Sequence, residues 1–222
     1  MEVLEDLLID NLKVYQDDEL YRFTSDSVLL SKFAKVKKGD VVADFCAGSG
    51  IVGLHLYALN KNLINSVTLF EMQKSLYDLS LKSIEYNRLG DKFCAVNTRL
   101  QDLGTSFAGK FSLIVCNPPY MSVDSGAKDE KKEIAMCKSE LTLTLRELIK
   151  AISTSLKYGG RTCIVHRADR LADIFFEMKK EGIEPKKIQF VSGSAKKEPY
   201  LVLVEGVKGG RSGLKVLGTI IN

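Results

Sequence analysis

The apolar run Val41-Val42-Ala43-Asp44-Phe45-Cys46 passes without a break into Ala47-Gly48-Ser49-Gly50-Ile51-Val52-Gly53. A strand-length segment that meets glycines in the pattern G-x-G-x-x-G and continues as an apolar helix-like stretch has few ways to fold. Gly48, Gly50 and Gly53 provide for a tight turn, close approach of the backbone to a ligand, and close packing of helix on strand. Downstream, strand and helix patterns alternate. Strands are expected at about 41–46, 66–71, 93–98, 111–116, 161–166, 186–192 and 200–205, and helices at about 51–60, 74–89, 139–157 and 169–181. Such alternation predicts an α/β fold, a doubly wound, mostly parallel sheet of seven strands. Only Gly193 to Pro199 separates the last two strands, too little for a helix, so they should close as an antiparallel hairpin.

Composition fits one compact enzyme domain. The chain has 222 residues, 45% hydrophobic and 27% charged, enough to bury a core without disulfides. We expect a single domain over 1–222, with an N-terminal cap segment at 1–38 and a Rossmann-like core at 39–217. The apolar stretches are far shorter than the ~20 residues that span a bilayer, and Met1-Glu2-Val3-Leu4-Glu5-Asp6 lacks the layout of a signal peptide. A cytoplasmic protein with no membrane association is expected, and nothing calls for an obligate protein partner. The five cysteines, at 46, 94, 116, 137 and 163, form no C-x-x-C pair and read as reduced core residues. His55 and His166 are too isolated to suggest a metal, so none is expected.

Two further signals carry chemistry. Glu71 ends the strand-like run Ser66-Val67-Thr68-Leu69-Phe70, about 20 residues beyond the glycines, where an acid holds ribose hydroxyls. A solvated carboxylate at a strand end is the plainer alternative. Asn117-Pro118-Pro119-Tyr120 follows the apolar run Phe111-Ser112-Leu113-Ile114-Val115-Cys116. That turn suits methylation of a planar amine, whose delocalised lone pair attacks poorly until acceptors draw on its N–H bonds. The Asn117 side-chain oxygen and the Pro118 carbonyl are candidate acceptors. The two prolines stiffen the turn, and Tyr120 offers a face for stacking on an unstacked base. An aromatic plug on a strand-ending turn would leave the same residues without chemistry.

Asp44, the glycines, Glu71 and the Asn-Pro-Pro-Tyr turn, in that order, resemble a class I S-adenosylmethionine-dependent methyltransferase. The resemblance implies that Gly48 to Gly50 contact the methionine portion of S-adenosylmethionine, that Glu71 accepts from its ribose, and that Asp102 is a candidate partner of its adenine. Arg99 stands where an acid is often found, and a surface carboxylate is an equal reading of Asp102. Cys46 replaces a frequent glycine, which is tolerable if the turn begins only at Ala47. The final strand of that fold inserts antiparallel, as the short 193–199 connection requires.

Tyr21-Arg22-Phe23-Thr24-Ser25-Asp26-Ser27-Val28-Leu29-Leu30, Val165-His166-Arg167-Ala168-Asp169-Arg170-Leu171 and Lys197-Glu198-Pro199-Tyr200-Leu201-Val202-Leu203-Val204-Glu205-Gly206-Val207-Lys208-Gly209-Gly210 add to the match. With Asp44-Phe45-Cys46-Ala47-Gly48-Ser49-Gly50, they resemble the bacterial tRNA1(Val) adenine-N6-methyltransferase family from about Leu7 to Leu217. That implies transfer of a methyl group from S-adenosylmethionine to an adenine beside the anticodon of a tRNA. Asp26 then either helps cover the cofactor or caps a helix. Between 186 and 215, seven cationic residues face two acidic ones, and Lys196, Lys197, Lys208 and Arg211 are candidates for phosphate contact. Solvated Lys-rich edges look the same, and the net charge of +4 is modest. Arg22, Arg167 and Arg170 could likewise bind phosphate or pair with Asp26 or Asp169.

Before the fourth helix, Lys138-Ser139-Glu140 replaces an Arg-His-Glu cluster frequent in that family, and Ser139 reads as the helix cap. The charge-balanced segment Met121 to Lys138 reads as a loop over the substrate mouth. Other readings stay open at this point: a protein glutamine methyltransferase acting on release factors, a noncatalytic RNA-binding module, and, more remotely, a nicotinamide dehydrogenase.

Overall fold

A computed structural model describes residues 1–18, 20, 25–119 and 143–222. Tyr120, Ser139, Glu140 and the expected loop 121–138 lie outside the described residues, as does Arg22. The chain opens with a two-stranded antiparallel hairpin, β1 (Glu2–Asp6) and β2 (Lys13–Asp17), followed by helix α1 (Ser25–Phe33). Then come β3 (Asp40–Phe45), α2 (Ile51–Asn60), β4 (Ile64–Glu71), α3 (Lys74–Tyr86), β5 (Phe93–Asn97) and β6 (Phe111–Cys116). The second half holds α4 (Leu145–Ser155), β7 (Leu156–Arg167), α5 (Leu171–Lys180), β8 (Ile183–Ser192), β9 (Leu201–Lys208), β10 (Lys215–Val216) and β11 (Ile220–Ile221).

All strands after the hairpin join one sheet in the order β10-β8-β9-β7-β6-β3-β4-β5, with β11 also on β8. Among the described strands of this sheet, only β9 runs antiparallel, inserted between β7 and β8, because the 193–199 connection lets it only fold back beside β8. The order reverses at β3 and β6, which pair in parallel, and this switch point is where open α/β sheets bind ligands.

Two apolar layers cover the sheet. One packs α1 and α2 on the face that carries Val42, Leu69, Val115 and Val165. The other packs α4 and α5 over Phe45, Phe70, Ile114 and Ile164. The central strands are buried on both faces, which is why they read as continuous apolar runs rather than as alternation.

The sheet differs from the expected seven strands by β10 and β11. Each is two residues long, too short to show a period, and they thicken one edge as far as residue 221. The N-terminal segment holds a hairpin that docks on α3. Lys13 N–H donates to Asn87 Oδ1 at 2.9 Å, Asn87 Nδ2 donates to the Lys13 carbonyl at 2.6 Å, and Tyr15 N–H donates to Ser83 Oγ at 2.9 Å.

Of the helix expected at 139–157, the described part begins at Leu145, where Thr144 and Glu147 form a reciprocal capping box. Cys116 and Cys163 are buried and Cys46 half-buried, but Cys94 is exposed on edge strand β5, so it is no core residue.

Candidate active site

The parallel register brings four strand ends into line. Phe45 pairs with Phe70 on one side and with Cys116 on the other, and Glu71 pairs with Asn97. The next residues along, Glu71, Cys46 and Asn117, therefore sit side by side at the carboxyl end of the sheet. Strand spacing puts Glu71 and Asn117 roughly 10 Å apart along this row.

Between them rises the glycine turn. The left-handed backbone starts at Cys46, with φ +57°, one residue earlier than the sequence suggested, and returns at Gly48 (+56°) and Gly50 (+91°). Cys46 thus holds a conformation that costs a residue with a Cβ about 1–2 kcal/mol. Its position explains why a glycine is common there. A Cβ at Gly50 would meet Leu69 Cδ1 at 2.8 Å, and one at Gly53 would meet Leu69 Cδ2 at 2.6 Å. These two glycines therefore leave no room for a side chain above Leu69 of β4. At Gly48 a Cβ would find nothing within 4 Å, so the open approach lies there.

Two buried carboxylates flank the turn. Asp44 is 1% exposed, and its Oδ2 accepts from Gly53 N–H at 2.8 Å while its Oδ1 has no hydrogen-bond partner. Burial pushes its carboxyl up to about 8, against the pull of the Gly53 N–H, and the nearby charge of Glu71 adds to the rise. Glu71 accepts at Oε2 from Gly48 N–H at 2.9 Å and at Oε1 from Gln73 N–H at 2.8 Å. Its carboxyl is also raised by burial, although these N–H groups oppose the shift. Each Glu71 oxygen retains a further lone pair for a hydroxyl donor.

Asn117 is held differently. Its Nδ2 donates to Ser27 Oγ on α1 at 3.1 Å, and its Oδ1 is buried with no partner. Pro118, next along, is buried. Asp26 lies in the first turn of α1, inside the helix and not at its cap, one residue from Ser27. Asp102 is exposed in the 3-10 turn Leu100–Asp102 that follows β5.

The four cationic candidates are not brought together. Lys196 and Lys197 are exposed on the β8–β9 connection, at the carboxyl end of the parallel strands. Because β9 runs antiparallel, its far end carries Lys208 and Arg211 to the opposite side of the molecule. There Lys208 Nζ donates to the carbonyls of Ser153 and Leu156 at 2.6 and 3.0 Å, closing the end of α4. Arg167 and Arg170 pair with Asp169 and Asp173. His166, at the end of β7, is buried, and its imidazole is pushed down to about 4 by that burial. The described residues include no cluster suited to a metal ion.

Residue-type reasoning did not reach Ser27, nor Gln16, whose buried Nε2 donates to Ser49 Oγ in the glycine turn at 2.6 Å. Alternation in Lys13-Val14-Tyr15-Gln16-Asp17 was the one signal that could have marked β2. No local pattern announces Ser27, because its partner is 90 residues away.

A parallel sheet that reverses at a glycine turn, with one antiparallel strand inserted near its edge, defines a Rossmann-like class I methyltransferase fold. The chain belongs to the methyltransferase small domain family, whose family model matches residues 13–179. It is similar to the tRNA1(Val) (adenine(37)-N6)-methyltransferase of a Flavobacteriaceae bacterium, with 26% identity over 68% of this chain and 62% of that protein, under two thirds of the relative's length. The protein of the same name from Flavobacterium johnsoniae is 24% identical over 83% of this chain and 77% of its own. Among solved structures, a predicted O-methyltransferase from Agrobacterium tumefaciens superimposes with a TM-score of 0.70, at 18% identity, over 88% of this chain and 86% of that one. M. jannaschii TYW2, solved in complex with AdoMet, gives 0.63 at 12% identity over 93% and 85%.

Proposed function

We propose that the protein transfers a methyl group from S-adenosylmethionine to the exocyclic N6 of an adenine in tRNA, in the anticodon loop of a valine tRNA, and that it does so in the cytoplasm. One observation carries this reading: a buried, partnerless amide oxygen, Asn117 Oδ1, at a strand end beside the glycine turn. The names of the two flavobacterial relatives supply the class of acceptor.

The residues present fit the cofactor. Asp44 Oδ1 is buried without a partner, so an ammonium group placed against it would take the place of the proton that burial keeps on this carboxyl, and Glu71 keeps lone pairs for ribose hydroxyls. Gly48 leaves the approach clear, and the N-terminus of α2 suits a carboxylate. When bound, S-adenosylmethionine supplies an electrophilic methyl group on a sulfonium. The protein's share is orientation. Asn117 Oδ1 accepts one N–H of the adenine amine and the Pro118 carbonyl accepts the other, which localises the nitrogen lone pair and stabilises the positive charge that builds there. Tyr120 is the proposed stacking surface for the base. Lys196 and Lys197, at the mouth, are the proposed phosphate contacts.

The reading is tested by incubating the protein with labelled S-adenosylmethionine and either unmodified tRNA or a release factor. We expect N6-methyladenosine in the tRNA and no label on glutamine; the reverse would establish the protein-methylating alternative. Asn117→Ala should lower kcat on tRNA by about a hundredfold or more, with the Kd for S-adenosylmethionine little changed.

A further inference from the structure

The side chain of Asn117 can serve as an acceptor only if its amide is turned with Oδ1 toward the substrate. An asparagine amide has two nearly isosteric orientations, and a serine hydroxyl can accept from its Nδ2 or donate to its Oδ1; in the bond in which the hydroxyl accepts, the amide presents Oδ1. Here that bond is the one from Nδ2 to Ser27 Oγ at 3.1 Å. Ser27 is 2% exposed, so water does not compete for it. Were the amide reversed, Nδ2 would point into the site and meet the N–H groups of the amine donor against donor.

Ser27 is itself firmly carried. It lies one turn before Ser31 on the buried face of α1, and Ser31 Oγ makes a 2.7 Å hydrogen bond with His55 Nδ1 on α2. Ser31 Oγ also bonds the Val28 carbonyl at 2.8 Å. At the other end of this turn, Asn222 Nδ2 donates to Ser25 Oγ and to the Tyr200 hydroxyl, each at 3.1 Å. Helix α1 is thereby tied to α2 and to the C-terminal segment on either side of the contact with Asn117.

We infer that Ser27 is a positioning residue of the methyl-transfer site, which holds the Asn117 amide with its oxygen facing the amine to be methylated. The inference rests on the role proposed for Asn117, and it adds a residue outside the Asn-Pro-Pro-Tyr turn. The effect of Ser27 runs through the orientation of one amide.

The test is a double-mutant cycle on the full chain, with tRNA and S-adenosylmethionine as substrates. Ser27→Ala should lower kcat by about tenfold to a hundredfold, the scale of a misplaced reactive group, while the KM for tRNA and the Kd for S-adenosylmethionine change less than about threefold. Ser27→Thr, which keeps the hydroxyl, should recover most of the loss. In an Asn117→Ala background, Ser27→Ala should cost no further activity, because the amide it positions is gone. Thermal unfolding of each variant identifies any that do not fold, and the Thr variant then carries the comparison. Wild-type kcat in Ser27→Ala, or an equal loss with and without Asn117, overturns the inference and leaves Asn117 standing. Wild-type turnover in Asn117→Ala overturns the reading of the site itself.

Discussion

Asp44 keeps its proton in the folded, cofactor-free protein at pH values where the unfolded chain has lost it. Its carboxyl titrates near 3.8 when unperturbed and at about 8 when folded, so between these values the folded state binds the extra proton. Stability contributed by that proton is complete below the lower value and is lost as pH rises through the upper one. Asp44→Asn removes this dependence. Urea midpoints of the variant, compared with those of the wild type, should improve in its favour from pH 5 to pH 9; parallel profiles would show that Asp44 is ionised throughout. At the same scale, Gly48 and Gly50 share a left-handed backbone but differ in what surrounds them. The first faces open space, the second Leu69.

Helix α4 shows how little sequence is needed to start an element. Thr144 has a glutamate three residues on: its hydroxyl accepts from the Glu147 N–H, and Glu147 Oε2 accepts from the Thr144 N–H at 2.8 Å. Those bonds hold the Glu147 carboxyl below its ordinary value. Thr144→Ala should destabilise the protein by about 1 kcal/mol, lowering Tm by roughly 2–4 °C for a chain of this size. Calorimetry measures it, and an unchanged Tm would mean that α4 is held by packing alone. The hairpin β1–β2 is the opposite case. Its strands are short, and β2 is anchored by Asn87 and Ser83 of α3 and by Ser49 of the glycine turn, groups remote in sequence.

Across the whole molecule, the two ends of the sheet do different work. At the amino ends of β3 and β6, Asp40 accepts from Arg161 Nη2 at 2.6 and 2.8 Å, from Ser112 Oγ at 2.7 Å and from Lys37 N–H at 2.7 Å. Burial raises the Asp40 carboxyl, but the Lys37 N–H, Arg161 and Ser112 outweigh it, and the net shift is downward. Its stabilisation is therefore present above 3.8 and fades as pH falls through the lower folded value, the opposite sign to Asp44. Arg161→Met leaves that carboxylate buried without its cation and should cost about 3–5 kcal/mol at pH 7. Denaturant unfolding reads this, and a loss below about 1 kcal/mol would mean that solvent reaches Asp40. The carboxyl ends carry the proposed chemistry, with Lys196 and Lys197 beside it. Replacing both with Ser should flatten the salt dependence of tRNA binding by about 0.7–0.9 in slope for each phosphate no longer neutralised. The same change at Lys208 and Arg211 should leave the slope unaltered. Binding titrations between low and physiological salt distinguish the two pairs.

Periodicity and turn chemistry are local properties, so the sequence by itself determined the alternating elements, the antiparallel return of β9, the glycine turn, and the placement of Asp44, Glu71 and Asn117 at strand ends. Each of those follows from neighbours a few residues apart. What only the tertiary structure decided depends on contacts between distant segments. Register set Glu71, Cys46 and Asn117 in one row, and the reversal of β9 sent Lys208 and Arg211 away from Lys196 and Lys197 despite their closeness in the chain. Packing against Leu69 left no space for a side chain at Gly50. The hydrogen bond between Asn117 and Ser27 joins residues 90 apart, because burial forces a polar group to find whatever partner the fold brings within reach.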